Sequence, residues 1–478
     1  MKITSDIQQQ KSKISNNQFW LVLIGFVTFN FLFKLFRIGG SSFSYDEMMS
    51  VKNTFLDFGH IKHESEWDAN PPFYYYCLWV WAKLFGSSEI AIRSMSAFFS
   101  ALAIIPFSVW LKNKLHKNAL LLFLIGFSIH PYLFYYAQEA RCYSLLLFLT
   151  GINALLTWRL IERTNYLYIL LLGISNFLLV YTHYVSGLIL VVQFIIITLY
   201  SRNLLWKVLV SDIIAILLVL LRFTKKQWEL LFGFSNTPPE QHWIKSAQTD
   251  DLINLMSSFY GNIIVYIVLI AFTFFMMYRK KFFSQFSVYC LLLGIMAPLV
   301  FYLMGISIPI FIPRYILFSV PFFLILISYS FSHNKISTFI LSVLFFAFGV
   351  FSLKPGENKG LNMKAFVATY TSLDSKPDLL FYKHDVIGMF TYYYKNEEFD
   401  NVSKRVDANI NDRDIYRFVA INELTIHHQN KPILVCSYFY SPEEIMAISE
   451  RLHDLGYKQV FDGKHFELQL NYFIPSQN

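Results

Sequence analysis

An aspartate and a glutamate stand side by side, Asp46-Glu47, just after the first long apolar run of this 478-residue chain. Two adjacent carboxylates in that position suit general-base work on an acceptor hydroxyl, or a grip on a divalent cation. The same stretch, Ser44-x-x-Glu47, also reads as a capping box, with Asp46 favourable at the start of a helix. Both readings hold together if Glu47 caps and Asp46 faces a site, because neighbouring helical residues point about 100° apart. Further along, Glu139 and Arg141 read either as an acceptor-binding carboxylate with a phosphate clamp, or as a snorkelling arginine with a local ion partner. His183 is a candidate ligand or base at a helix end, or an interfacial hydrogen-bonding residue. Arg314, following Pro313, suits an anionic headgroup, as substrate or as lipid anchor. The aromatics from Tyr74 to Trp81 suit membrane packing, and aromatic faces also stack on sugars. Asp212, inside an apolar run, is expected to snorkel towards the near membrane surface.

The elements that must position these residues follow from composition. Apolar residues make up 55% of the chain and charged residues 15%, against roughly 45–50% and 25% in an ordinary soluble domain. Mean hydropathy is +0.42, and fifty Phe, thirty Tyr and nine Trp exceed what one aqueous core would hold. Disorder, collagen, coiled coil and a small disulfide scaffold are excluded, and a polytopic helical membrane protein is expected. Runs long enough to span lie near 19–38, 90–111, 118–136, 141–160, 166–182, 185–201, 207–223, 262–278, 284–304, 314–330 and 336–353, about eleven in all at roughly 17–25 residues each.

Lys2, Lys11 and Lys13 before an apolar run imitate a signal peptide. The run is too long and lacks a small-residue cleavage site, so a retained first span is expected. Lys112, Lys114 and Lys117, Arg159 and Arg163, Arg202 and Lys207, and Arg279, Lys280 and Lys281 occupy alternate connections. The positive-inside rule then puts them, and the N-terminus, on the cytoplasmic side. Lys34 and Arg37 at the other end of the first span, and Lys225 and Lys226 in a longer loop, run against that assignment. With an odd number of spans the C-terminus falls outside.

Charge divides the chain. Residues 1–354 carry a net +12 and residues 355–478 a net −4 with no long apolar run. The expected organisation is a cytoplasmic tail 1–18, a membrane domain 19–353 with an outer loop 39–89, and an extracytoplasmic soluble α/β domain 354–478. The basic excess belongs with lipid headgroups rather than nucleic acid. Within the outer loop, 73–85 is apolar but too short to span, which suits an interfacial helix. In the last domain, 379–382 and 433–439 read as strands. Ser441-Pro442-Glu443-Glu444 starts a helix that Gly456 closes, and Asp462-Gly463 reads as a hairpin turn. Cys77, Cys142, Cys290 and Cys436 are scattered, without metal spacing or a disulfide framework.

All the candidate residues except Asp212 fall on one side of the membrane, which suits chemistry on a lipid phosphate. Tyr45-Asp46-Glu47, Asn70-Pro71-Pro72-Phe73-Tyr74-Tyr75, Leu84-Phe85-Gly86 with Glu89-Ile90-Ala91-Ile92-Arg93-Ser94-Met95-Ser96-Ala97, and Tyr135-Tyr136-Ala137-Gln138-Glu139-Ala140-Arg141-Cys142-Tyr143-Ser144 resemble the GT-C glycosyltransferases. Tyr181-Thr182-His183-Tyr184 and Pro313-Arg314-Tyr315 extend the likeness. The branch is that of protein O-mannosyltransferases and of the bacterial aminoarabinose and galacturonic acid transferases of lipid A. The resemblance implies a GT-C-like fold, a polyprenyl-phosphate sugar donor, an envelope acceptor (lipid, glycan or protein), an outer-face site in a bacterial inner membrane, and inversion at the anomeric carbon. It makes Asp46 the base with Glu47 in support, Glu139 a second acid, and Arg141 and Arg314 the phosphate ligands. His183, Asn70 and Tyr74 become substrate-binding candidates. Asn70 departs from the His more common before the Pro-Pro pair. Dependence on a divalent cation varies across such proteins, so none is assigned. The alternatives are a lipid-linked sugar flippase or transporter, and a non-catalytic membrane scaffold.

Overall fold

The computed structural model describes residues 15–64, 70–222, 228, 244–260, 263–279, 284–331, 335–357, 359–382, 385–394, 415–418, 421, 424, 426, 428, 430–437, 442–465 and 468–476. The chain divides into two compact units. One comprises Met1–Phe36, Lys62–Cys77 and Arg93–Pro355, the other Arg37–Ile61, Leu78–Ile92 and Gly356–Asn478. The Asp46 segment thus packs with the C-terminal domain.

Six helices among the described residues are long and apolar enough to cross a membrane: Asn16–Leu35, Glu89–Leu111, Tyr143–Glu162, Arg202–Leu220, Gln285–Ser307 and Pro313–Ser330. Lys117–Ile129 and Pro131–Ala137 form a pair bent by 48°, a seventh span if taken as one. The bend falls where Pro131 lacks the N–H that would continue the helix. Tyr166–Val180, Tyr184–Tyr200, Tyr266–Phe275 and Phe339–Ser352 are shorter apolar helices, so each expected span coincides with a helix. Leu21, Ile24 and Leu32 of the first helix are exposed, as are many Leu and Ile of Leu205–Leu220. Only lipid accepts so continuous an apolar exterior, and the chain is an integral membrane protein.

Inside the first unit the aromatic excess finds its use. The rings of Phe286, Tyr289, Trp158 and Phe322 lie 5.3–6.1 Å from Trp110, in tilted and edge-on pairs that each contribute about 0.5–1.5 kcal/mol beyond area burial. Two charges behave differently from their sequence reading. Lys34 is fully buried, its Nζ donating to Asn30 Oδ1 at 3.0 Å and Ser100 Oγ at 2.9 Å. It is a helix-packing residue, and it does not count as a loop charge against the expected sidedness. Asp212 does not snorkel. It is buried and accepts from Asn176 Nδ2 and, at 3.4 Å, from Gln193 Nε2. Asn153 Nδ2 donates in turn to Asn176, and Thr157 to Gln193 Oε1 at 3.4 Å. The carboxylate stays inside because neighbouring helices supply amide donors that the lipid surface would not better.

In the second unit a five-stranded sheet runs in the order β2-β1-β3-β5-β4. Its strands are β1 Asp378–Tyr382, β2 Ile415–Phe418, β3 Ile433–Ser437, β4 Tyr457–His465 and β5 Leu468–Pro475. β2, β1 and β3 are parallel, and β5 is antiparallel to both β3 and β4. The Pro442–Asp454 helix covers the sheet, with Ile448 and Leu452 against Leu380, Val435 and Phe473. Gly456 ends that helix at φ +86°, while Tyr438, Phe439, Ser441, Lys225, Lys226, Lys280 and Lys281 lie outside the described residues. Asp462-Gly463 is not the hairpin turn. Both sit within β4, and the chain reverses between His465 and Leu468, which pair with each other. Gly463 serves the sheet instead: a Cβ there would come 2.7 Å from the Phe461 ring, so glycine makes room for the aromatic.

The amide cage around Asp212 gives a test of helix packing. Asp212→Leu leaves the Asn176 and Gln193 amides without their acceptor and is expected to cost about 1–3 kcal/mol. Asp212→Asn keeps an acceptor oxygen and is expected to lose less than half as much, as read from unfolding in detergent.

Candidate functional site

The acidic pole is built locally. Ser44 takes an extended conformation (φ −71°, ψ 167°) and opens the Tyr45–Phe55 helix. Its Oγ accepts from the Glu47 N–H at 3.3 Å, and its own N–H donates to Glu47 Oε2 at 2.9 Å. Glu47 is wholly buried and Asp46 half-buried one residue earlier. The box is therefore real, and one Glu47 oxygen is engaged in it. Asp46 is the more exposed of the two acids.

The cationic pole belongs to the other unit. Gln138 Nε2 donates to the carbonyls of Lys34 (3.0 Å) and Phe36 (2.8 Å), so the 138–141 turn is fastened to the end of the first helix. Glu139 and Arg141 follow, both nearly inaccessible. The Arg141 N–H donates to the Glu139 carbonyl at 2.8 Å, and its guanidinium Nη1 to the Tyr75 hydroxyl at 3.2 Å. Tyr75 lies edge-on to Tyr74, with centroids 5.7 Å apart, and the Tyr74 hydroxyl meets Ser96 Oγ at 3.5 Å. Phe73 carries the chain onto the third patch, its N–H donating to the Tyr181 carbonyl at 3.3 Å. Asn70, just upstream, is buried.

These segments converge on Tyr143. The Arg314 Cζ stands 5.8 Å from the Tyr143 ring, and both Arg314 and Arg141 lie within electrostatic reach of its hydroxyl. His183 lies 6.1 Å and Tyr315 6.3 Å from the same ring, and 4.6 Å edge-on from each other. His183 Nδ1 accepts from the Val185 N–H at 3.3 Å, which fixes its ring. Tyr136, 5.4 Å from Tyr143, lies within electrostatic reach of Glu139. The Tyr143 hydroxyl itself is buried and has no hydrogen-bond partner among the described residues. Two guanidiniums, a histidine and a phenol with a buried hydroxyl thus stand together inside an aromatic wall, a donor set chemically suited to an anion.

The structure thus gathers Asn70, Tyr74, Glu139, Arg141, His183 and Arg314 in one unit, and Asp46 with Glu47 in the other. Tyr75 and Tyr143 stand inside the motifs quoted above but were not singled out as site candidates; the structure brings Tyr75 onto Arg141 and Tyr143 beside Arg314 and His183. Among the described residues no three His, Cys, Asp or Glu side chains group as metal ligands. Burial pushes the Cys77 thiol up to about 11 and the Cys436 thiol higher still, so neither is a nucleophile at neutral pH.

No family model matches the sequence, and no curated protein sequence matches it. Solved structures do. ArnT from Cupriavidus metallidurans in the apo state aligns at a TM-score of 0.60 with 10% identity, over 96% of this chain and 98% of that one. The same protein bound to undecaprenyl phosphate aligns at 0.59 with 12% identity and the same coverage. The archaeal oligosaccharyltransferase AglB from Archaeoglobus fulgidus, in complex with an inhibitory peptide and a dolichol-phosphate, aligns at 0.51 with 12% identity, over 95% of this chain and 74% of that one. Both are GT-C proteins, and the chain has the GT-C membrane fold with a small sheet near its C-terminus.

The two acids of the first pole are separable by stability. Glu47→Ala is expected to lose about 2 kcal/mol, since it leaves the buried Ser44 N–H without its side-chain acceptor. Asp46→Asn is expected to lose about 0.5 kcal/mol, the helix-end contribution. Equal shifts in the unfolding midpoint would make Asp46 a structural residue as well.

Proposed function

We propose that this chain is a membrane glycosyltransferase that moves a sugar from a polyprenyl-phosphate donor to a hydroxyl-bearing envelope acceptor (lipid, glycan or protein). The reaction takes place at the outer face of a bacterial inner membrane, with inversion at the anomeric carbon. The observation that carries this reading is the clustering of two buried or wall-lined guanidiniums with aromatic hydroxyls: Arg314 over the Tyr143 ring and Arg141 on the Tyr75 hydroxyl, with the Tyr143 hydroxyl buried between such groups. That donor set suits an anion, inside a fold whose solved neighbours are complexed with undecaprenyl phosphate and with a dolichol-phosphate.

In the proposed reaction the Asp46 carboxylate takes the acceptor hydroxyl proton as the oxygen attacks the anomeric carbon on the face away from the phosphate. The bond from that carbon to the phosphate oxygen breaks, and its electron pair stays with the departing lipid phosphate. Arg141 and Arg314 stabilise the charge that collects there, and Tyr143 donates a hydrogen bond to the same oxygens. Glu139 orients the acceptor or sugar hydroxyls, and His183, Asn70 and Tyr74 line the sugar. Glu47 holds the turn on which Asp46 is presented.

The test is transfer by the purified full chain in detergent, with a panel of polyprenyl-phosphate sugars and a membrane-lipid extract as acceptor. Asp46→Asn is expected to lower kcat by about 10²–10⁴-fold, the usual contribution of a positioned base. Arg141→Gln and Arg314→Gln are each expected to lower kcat by about 10²–10³-fold, with Tyr143→Phe milder. Near-normal turnover by Asp46→Asn would remove its role. Donor crossing between leaflets of proteoliposomes without a new glycosidic bond would point to transport.

A further inference from the structure

The segment 39–44 leads into the Asp46 helix and has no helix or strand of its own. Its anchors come from the C-terminal domain and from the start of the Glu89–Leu102 helix. The Phe43 N–H donates to the Tyr393 hydroxyl at 2.7 Å. The Lys364 N–H donates to Ser42 Oγ at 2.9 Å, and Lys364 Nζ to the Gly39 carbonyl at 3.0 Å. That same ammonium pairs with Glu89 Oε1 at 2.6 Å and lies 6.0 Å from the Tyr393 ring. The Tyr393 hydroxyl also lies within electrostatic reach of Glu89. Tyr393 thus holds the Phe43 amide, while Lys364 joins Glu89 to the Gly39 carbonyl.

Packing reinforces it. Phe43 is fully buried, edge-on to Tyr392 at 5.4 Å, and the Tyr392 hydroxyl donates to the Ser87 carbonyl at 2.8 Å. Gly356, at φ +69°, lies where a Cβ would come 2.8 Å from the Arg37 carbonyl oxygen and 3.5 Å from Gly40 Cα. Arg37 is itself left-handed at φ 56°. The two backbones meet at a distance only glycine permits.

We propose that the C-terminal domain positions the Asp46 carboxylate, with Lys364 and Tyr393 as positioning residues that hold the 39–44 segment and set the angle of its helix. The inference rests on the reading of Asp46 as the base. Phe43 immediately precedes the N-cap Ser44, so the clamp grips the chain where the helix direction is decided, three residues from Asp46. The capping box fixes the first turn internally, and the clamp fixes that turn against the domain. A part-exposed ion pair such as Glu89–Lys364 adds little to global stability. Its loss is therefore expected to show in the geometry of the base, whose efficiency falls steeply with misplacement.

The test uses the full chain and the transfer assay above. Tyr393→Phe and Lys364→Met are expected to lower kcat by about 10–100-fold, the scale of an ångström of misplacement, while KM for the donor stays within about twofold. The unfolding midpoint of Lys364→Met is expected to hold, whereas Tyr393→Phe also leaves the buried Phe43 N–H without its acceptor and lowers it. Lys364→Arg, which keeps both the ion pair and the reach to Gly39, is expected to recover most of kcat. If Asp46→Asn is inactive while Tyr393→Phe and Lys364→Met turn over normally, this proposal falls and the reading of the base stands. Loss of kcat by Lys364→Met in step with a lowered unfolding midpoint, without recovery in Lys364→Arg, would likewise overturn it. If Asp46→Asn is active, the reading of the base fails on its own.

Discussion

Inside a bilayer a polar side chain has no water to bond, so each one the helices carry must be answered by another helix. The first unit is organised by that requirement. Lys34, near the end of the first membrane helix, is tolerable because Asn30 and Ser100 accept hydrogen bonds from its ammonium. Asn30 also donates to Ser128 at 2.7 Å, which ties the first helix to the Lys117–Ile129 helix. Asp212, Asn176, Gln193, Asn153 and Thr157 do the same for the helices that follow. Gln138 then uses the last carbonyls of the first helix as acceptors and carries the frame to the turn of Glu139 and Arg141.

The guanidiniums around Tyr143 stand in the same dry surroundings. Tyr75 engages one Arg141 nitrogen, and aromatic rings wall Tyr143, so guanidinium charge there is less screened than at a water-facing surface. The acidic pole follows another logic. A helix N-terminus needs acceptors for its first amides, and Ser44 with Glu47 supplies them within four residues. Capping by Glu47 leaves Asp46 with a different face and a different task. Cation recognition of a phosphate needs distant segments brought together, whereas presentation of a base needs one turn and something to hold that turn.

Features dictated by neighbours in the chain were readable from the residues alone. Long apolar runs can only be membrane helices, and every expected span is helical. The short aromatic run became the Phe73–Phe85 helix, and Ser44 and Glu47 formed their box because both partners lie within one turn. The membrane fold and the two sets of candidate residues were legible for that reason. Features dictated by partners far along the chain were not. Whether Asp212 turned to the lipid surface or inward depended on Asn176 and Gln193. Whether Gly463 made a turn or a strand depended on the pairing of β4 with β5 across the sheet. Tyr143 gained its cationic neighbours only when Arg314 and His183 packed against it. The grip of the C-terminal domain on the Asp46 segment likewise joins residues more than three hundred positions apart. Local hydrogen bonding and hydrophobic transfer are settled by residue type and short spacing, so the sequence determined the helices, the capped turn and the kinds of chemistry on offer. Which buried donor met which acceptor was settled by packing, and only the tertiary structure decided that.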